Sequence, residues 1–161
     1  MAQIQKIVDT SSRVVYKFVG NSTESRVIKI DTGLLRGAMN ANNMFSANAG
    51  DDRKPQYRLS LKNIKYDVGS GIVELSSDGD ANANTIMYLS GQNSMGFDEG
   101  GAPVSLDCGS FANSTGNIWL SYSGSSANSY TVIADFRKNP SDFSQGALED
   151  PMAFNAGNRA F

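Results

Sequence analysis

At 161 residues the chain suits one domain, long enough to bury about two thirds of its unfolded surface in a single core. It has no histidine, which removes the commonest general base, the commonest metal ligand and the Ser/His/Asp and Cys/His nucleophile systems together. A formal net charge of −2 without a continuous basic stripe is a poor footprint for nucleic acid, and 16 Gly, 15 Asn and 21 Ser, about a third of the chain, mark a turn-rich all-β protein.

In chain order, residues 4–10 hold too little apolar content to stand alone as a strand. Residues 13–20 alternate Val14, Tyr16 and Phe18 against Val15, Lys17 and Val19, and 24–31 follow after Asn21, Ser22 and Thr23, which predicts a β-hairpin. The sequons Asn21-Ser22-Thr23 and Asn113-Ser114-Thr115 read as turns, because the first residues lack the apolar run of a secretion signal. No window approaches the length of a membrane span either. Over 33–55 the pattern breaks, and a long ordered connection is expected. Its Met39, Met44 and Phe45 then form either a lid over one end of the core or a contact for a neighbouring subunit.

Residues 57–68 are the longest strand candidate, and the phase changes within them. Tyr57, Leu59 and Leu61 are odd, Ile64 and Tyr66 even, so one extra residue near Lys62 and Asn63 is expected as a bulge. Gly69, Ser70 and Gly71 turn the chain into a strand over 71–77, followed by strands at 85–90 and 103–108. In the last of these Val104, Leu106 and Cys108 are in phase, which makes Cys108 a buried, inert thiol. Residues 117–137 predict a second hairpin, whose closing run sets Tyr130, Val132, Ala134 and Phe136 on one face and belongs in the middle of a sheet. Eight strands in all suggest an antiparallel β-sandwich or jelly roll over 1–138, with a partly closed barrel as the alternative. The expected core is Val14, Tyr16, Phe18, Ile64, Tyr66, Ile118, Leu120, Val132, Ala134 and Phe136. Residues 139–161 carry isolated apolar side chains at Phe143, Leu148, Met152, Phe154 and Phe161 with no period of 2 or 3.6. They are expected to be an extended C-terminal arm, anchored in pockets on its own domain or on adjacent subunits, with the main contacts outside its own sandwich.

Few residues offer chemistry, and neither an enzyme nor a cofactor is expected. Glu74, Asp98, Glu99 and Asp107 are the carboxylates available for a glycosidase pair, but nothing in their order sets two of them the required 5 to 10 Å or so apart. Asp78, Asp80, Asn82 and Asn84 put oxygen side chains at alternate positions, as calcium loops do. The stretch lacks the Gly and the bidentate Glu of an EF-hand, and an ordinary Asx-rich turn is the plainer reading. Charge is segregated: residues 1–67 hold 11 Lys or Arg against 6 acids, a net of +5, and 68–136 hold none against 7. Either basic and acidic strands interleave and neutralise one another, or the molecule has faces of opposite sign suited to association.

The succession of 14–35, 59–80, the short strand at 85–92, 116–124 and 129–138 resembles a set of small β-rich structural proteins of tailed bacteriophages. The likeness lies in the early β-hairpin ending in an acidic residue, in the KxIxYxVxGxGVxL character of Lys62 to Leu75, and in the closing strand that ends Phe136, Arg137, Lys138. It covers about 13–138 and transfers no catalytic residue; the insertion 39–54 and the arm depart from it. The resemblance implies a virion component, made in the host cytoplasm and assembled with copies of itself, a trimer first, and with the major capsid protein or other virion proteins, without nucleic acid or membrane. Capsid decoration or cementing is the first reading and a neck, tail or baseplate component the second. A carbohydrate-binding module is the third, which would need Trp119, Tyr122 and Tyr88 exposed over a groove.

Overall fold

Alternating apolar residues separated by Gly, Ser and Asn produce strands almost exclusively. The computed structural model of the chain describes residues 3–38, 57–77, 84–96, 106–108, 116–124, 129–140 and 142–143. Among them are eight strands: β1 (Gln3–Asp9), β2 (Arg13–Gly20), β3 (Glu24–Ile30), β4 (Leu59–Ser77), β5 (Asn84–Gly96), β6 (Leu106–Cys108), β7 (Ile118–Ser123) and β8 (Tyr130–Lys138), with one 3-10 turn at Thr32–Leu34. Every pairing is antiparallel, in a single sheet of order β1-β2-β8-β4-β7-β3 with β5 and β6 on the remaining edge of β4.

The 19-residue β4 organises this sheet. Its first part pairs with β8, from Leu59↔Lys138 to Val68↔Tyr130, and its last part with β7, from Ile72↔Ser123 to Ser77↔Ile118. Between them the chain bends at Gly71, whose φ of 87° only glycine adopts without strain. β5 bends opposite it at Gly91, where the ladder jumps from Val68↔Gly91 to Val73↔Leu89. β7 and β8 both run antiparallel to β4, one after the other, so they are two halves of one broken strand. β2 on β8 and β3 on β7 repeat this, and their link crosses the corner beside the other, with the Thr23 hydroxyl donating to the Gly124 carbonyl at 2.8 Å. Four bent strands thus carry the sheet round a corner into a half-barrel with two limbs.

Four expectations are corrected here. The eight strands form one curled sheet instead of the two separate sheets of a sandwich or jelly roll. Neither predicted hairpin forms, because each pair of runs lies end to end along the neighbouring strand. The runs at 57–68 and 71–77 are a single strand, and β1 forms with almost no buried side chain, as an edge strand held by its ladder to β2.

The bulge lies where the phase change puts it, since Leu61 faces Phe136 and Asn63 faces Asp135, leaving Lys62 extra. Nine of the ten expected core residues are buried in one cluster between the limbs; Tyr66 is half-buried against it. Tyr122 of β7 meets Tyr130 of β8 at 4.8 Å between centroids, and the Tyr122 hydroxyl donates to the Ser70 carbonyl at the corner.

Candidate interaction surface

Of the residues singled out for subunit contacts, Phe143 belongs to the core of its own chain. It is 1% exposed, lies 5.8 Å from the Tyr57 ring and has the Lys138 ammonium 5.2 Å from its centroid. The turn that delivers it is clamped to the residue just before β4: the Asn139 N–H donates to the Arg58 carbonyl, and the Arg58 guanidinium and N–H all donate to the Asp142 carboxylate. Phe143 is therefore no anchor for a neighbouring subunit. The other candidates, Met39, Met44, Phe45, Leu148, Met152, Phe154 and Phe161, lie outside the described residues. So do Asp78, Asp80 and Asn82 of the calcium-like loop, while Asn84 opens β5 opposite Ser77.

The two carboxylate candidates on described strands, Glu74 and Asp107, do not come together, since Asp107 pairs with Ser60 at the far end of β4. Glu74 lies on the outer face of the second limb, where it accepts from Arg26 of β3, Thr85 of β5 and Ser121 of β7, crossing four strands. Burial alone would push its carboxyl up, but these hydrogen bonds outweigh that and hold it below the usual range. Asp98 and Glu99 lie outside the described residues, and Asp107 sits in β6 opposite Ser60. The aromatic trio is also split. Tyr122 is in the core, Trp119 is half-buried on the outer face, and Tyr88 is 66% exposed.

A second clamp, which sequence reasoning passed over, is centred on Lys138 and Asp9. Lys138 continues the buried phase of β8, and its side chain is fully enclosed, donating to the Asp9 carboxylate and to the carbonyls of Thr10 and Arg36. All three of its protons are placed. Burial pushes the ammonium down, only partly offset by Asp9. Burial pushes Asp9 up in turn, but bonds from Lys138, Lys6 and the Arg36 N–H outweigh it and leave the carboxyl low. The signal was present, because alternation from Tyr130 puts residue 138 inward.

The outer face of the first limb has a different character. Register sets Arg13 beside Arg137, Val15 beside Asp135 and Asn63, Lys17 beside Ile133 and Lys65, and Val19 beside Thr131 and Asp67. Arg13 holds Asp135 by two bonds of 2.8 and 2.9 Å. Next to this pair is an open cleft of about 690 Å³ lined by Ser12, Arg13, Lys62, Asn63, Asp135 and Arg137, among others.

No known family model matches the chain, and no curated protein matches it.

Proposed function

We infer that the chain is a non-enzymatic virion structural protein of a tailed bacteriophage, with capsid decoration or cementing as its task and a neck, tail or baseplate position as the second reading. The observation that carries this is where the resemblance falls. Its two most characteristic stretches, 62–75 and 130–138, occupy β4 and β8, which are hydrogen-bonded neighbours at the centre of the sheet. The likeness therefore follows the framework of the fold.

Open strand edges add support. β1 and β3 end the sheet, and each has one edge unpaired among the described residues; β1 also exposes Ile4 and Ile7. Such edges accept strands from neighbours, as an assembly protein requires. A carbohydrate-binding module draws less support, since Tyr122 is turned into the core and leaves no three-ring platform. The test is immunogold labelling of density-purified particles from the culture carrying the gene, with antiserum raised to the purified chain. Label over heads supports decoration and label at necks or tails the second reading, whereas unlabelled particles overturn both.

A further inference from the structure

The two strands that end the sheet differ in how they meet solvent. β3 carries Glu24, Arg26 and Lys29 within seven residues, and its ladder to β7 shifts register twice, between Glu24 and Val27 and between Ile28 and Ile30. Charges and bulges of this kind keep an edge from taking on another strand. β1 lacks that protection over its first half. Its ladder to β2 runs unbroken from Gln3↔Val19 to Lys6↔Tyr16, and the shift comes only at Ile7. Gln3 to Ile7 are exposed one after another, Ile4 at 44% and Ile7 at 48%, and the one charge among them, Lys6, is tied to Asp9 at 2.8 Å.

A strand that completes this edge has to supply backbone donors and acceptors, approach without net repulsion and cover Ile4. The edge of β1 itself meets all three needs. An antiparallel contact about a two-fold axis requires one residue to stand opposite its own copy. Lys6 in that place would oppose two ammonium groups, and Ile4 there would carry the pairing out of the exposed run. Gln5 is the midpoint of the run, and it sets Ile4 opposite the partner's Lys6. On the core side Ile4 stands beside Phe18 and Lys6 beside Tyr16, so the aliphatic stem of the partner's Lys6 would cover Ile4 at the margin of the core. On the outer face the row becomes Lys17, Gln5, the partner's Gln5 and the partner's Lys17, with the two amides able to donate to and accept from each other. An open cleft of about 420 Å³, lined by Gln3, Ile4, Gln5, Lys17 and Val19, borders this row and leaves room for the approach.

We propose that the free edge of β1 docks the β1 of a second copy of the chain, antiparallel about a two-fold axis at Gln5, so that two sheets become one. Both sides of the contact are the same described strand. The contact closes at two copies, because each chain has one β1 edge to give. The proposal deepens the assembly reading above and rests on it for its role, but the pairing itself is a property of the purified chain.

The experiment is sedimentation equilibrium of the purified full chain, free of any N-terminal tag, at concentrations up to about 1 mM, where a monomer and a dimer in exchange are expected. Gln5→Lys, which lines up four ammonium groups across the contact, should weaken association at least about tenfold. Ile4→Glu sets a carboxylate opposite the partner's Lys6 and should keep or tighten it, where a merely sticky apolar patch would be weakened. Ser90→Lys, at an exposed position on β5, makes the same change of charge as Gln5→Lys and should leave association intact. Thermal melts check that the variants fold, and the unaltered chain gives a readout of its own. Amide exchange within Gln3 to Ile7 should slow at least about tenfold from a dilute to a concentrated sample. A monomer at about 1 mM whose β1 amides exchange freely leaves the edge to a strand of another protein, and one whose β1 amides are already protected when dilute has the edge covered by its own chain; either overturns the proposal. So does a trimer, or equal weakening by Gln5→Lys and either Ile4→Glu or Ser90→Lys. None of those outcomes bears on whether particles carry the chain, which the immunogold experiment decides.

Discussion

At the scale of residues, the corner glycines Gly71 and Gly91 share a left-handed backbone but differ in what surrounds them. A Cβ on Gly91 meets nothing within 4 Å, whereas one on Gly71 would stand 2.0 Å from the Ser123 carbonyl oxygen. Gly91→Ala should therefore cost only the backbone term, about 1 kcal/mol, and Gly71→Ala more than about 3 kcal/mol, since β7 must also move off β4. Urea unfolding measures both, and equal losses would mean that β7 yields freely at the corner. Lys138 offers a second contrast. Lys138→Met leaves Asp9 and two carbonyls without their donor, so a loss of about 3 kcal/mol is expected. Combining it with Asp9→Leu should destabilise less than the sum of the two single changes, because the second removes the stranded charge.

At the scale of elements, what was legible is the local face of each strand, and what was not is the partner. β8 announced its place because a strand packed on both sides must alternate cleanly, and Tyr130, Val132, Ala134 and Phe136 do so. The Lys62 bulge was legible for the same reason, as a break in phase. The two hairpins were misread because a polar link between two alternating runs looks the same whether the chain folds back or continues round a corner. Only the length of β4, a property of a distant segment, decides between them. Phe143 was illegible as core because its burial depends on Asp142 meeting Arg58, a contact between residues 84 apart. This gives an expected outcome. A chain ending at Phe143 should be more stable than one ending at Lys138 by about 3–5 kcal/mol, the usual loss when a buried Phe is removed. Thermal melts would show this as a difference of about 10 °C or more. Matching melting temperatures would return Phe143 to the list of candidate contacts between subunits.

At the scale of the whole molecule, each limb is closed by one carboxylate that gathers several strands. Asp9 draws together β1, β8 and the segment at Arg36 in the first limb, and Glu74 ties β3, β7, β4 and β5 in the second. Both carboxyls are held below their ordinary range, so the unfolded chain takes up protons before the folded one does. Their stabilisation is thus fully present above that range and is lost as pH falls through the folded values, a window that opens in the ordinary carboxylate range and runs on below it. Each contributes a slope of up to about 1.4 kcal/mol per pH unit within it. Lys138 does not oppose this on the acid side. Its depressed value makes the unfolded chain hold that proton more tightly, so its effect changes only as pH rises toward the ordinary lysine value. Denaturant unfolding between pH 7 and pH 3 should therefore show stability dropping steeply at the acid end. Glu74→Gln should begin less stable at pH 7, having lost the partner of Arg26, and then fall with a shallower slope, so that its curve approaches that of the unaltered chain at the acid end. Parallel curves would show that Glu74 titrates alike in both states, and the closure of the second limb would then rest on its apolar face alone.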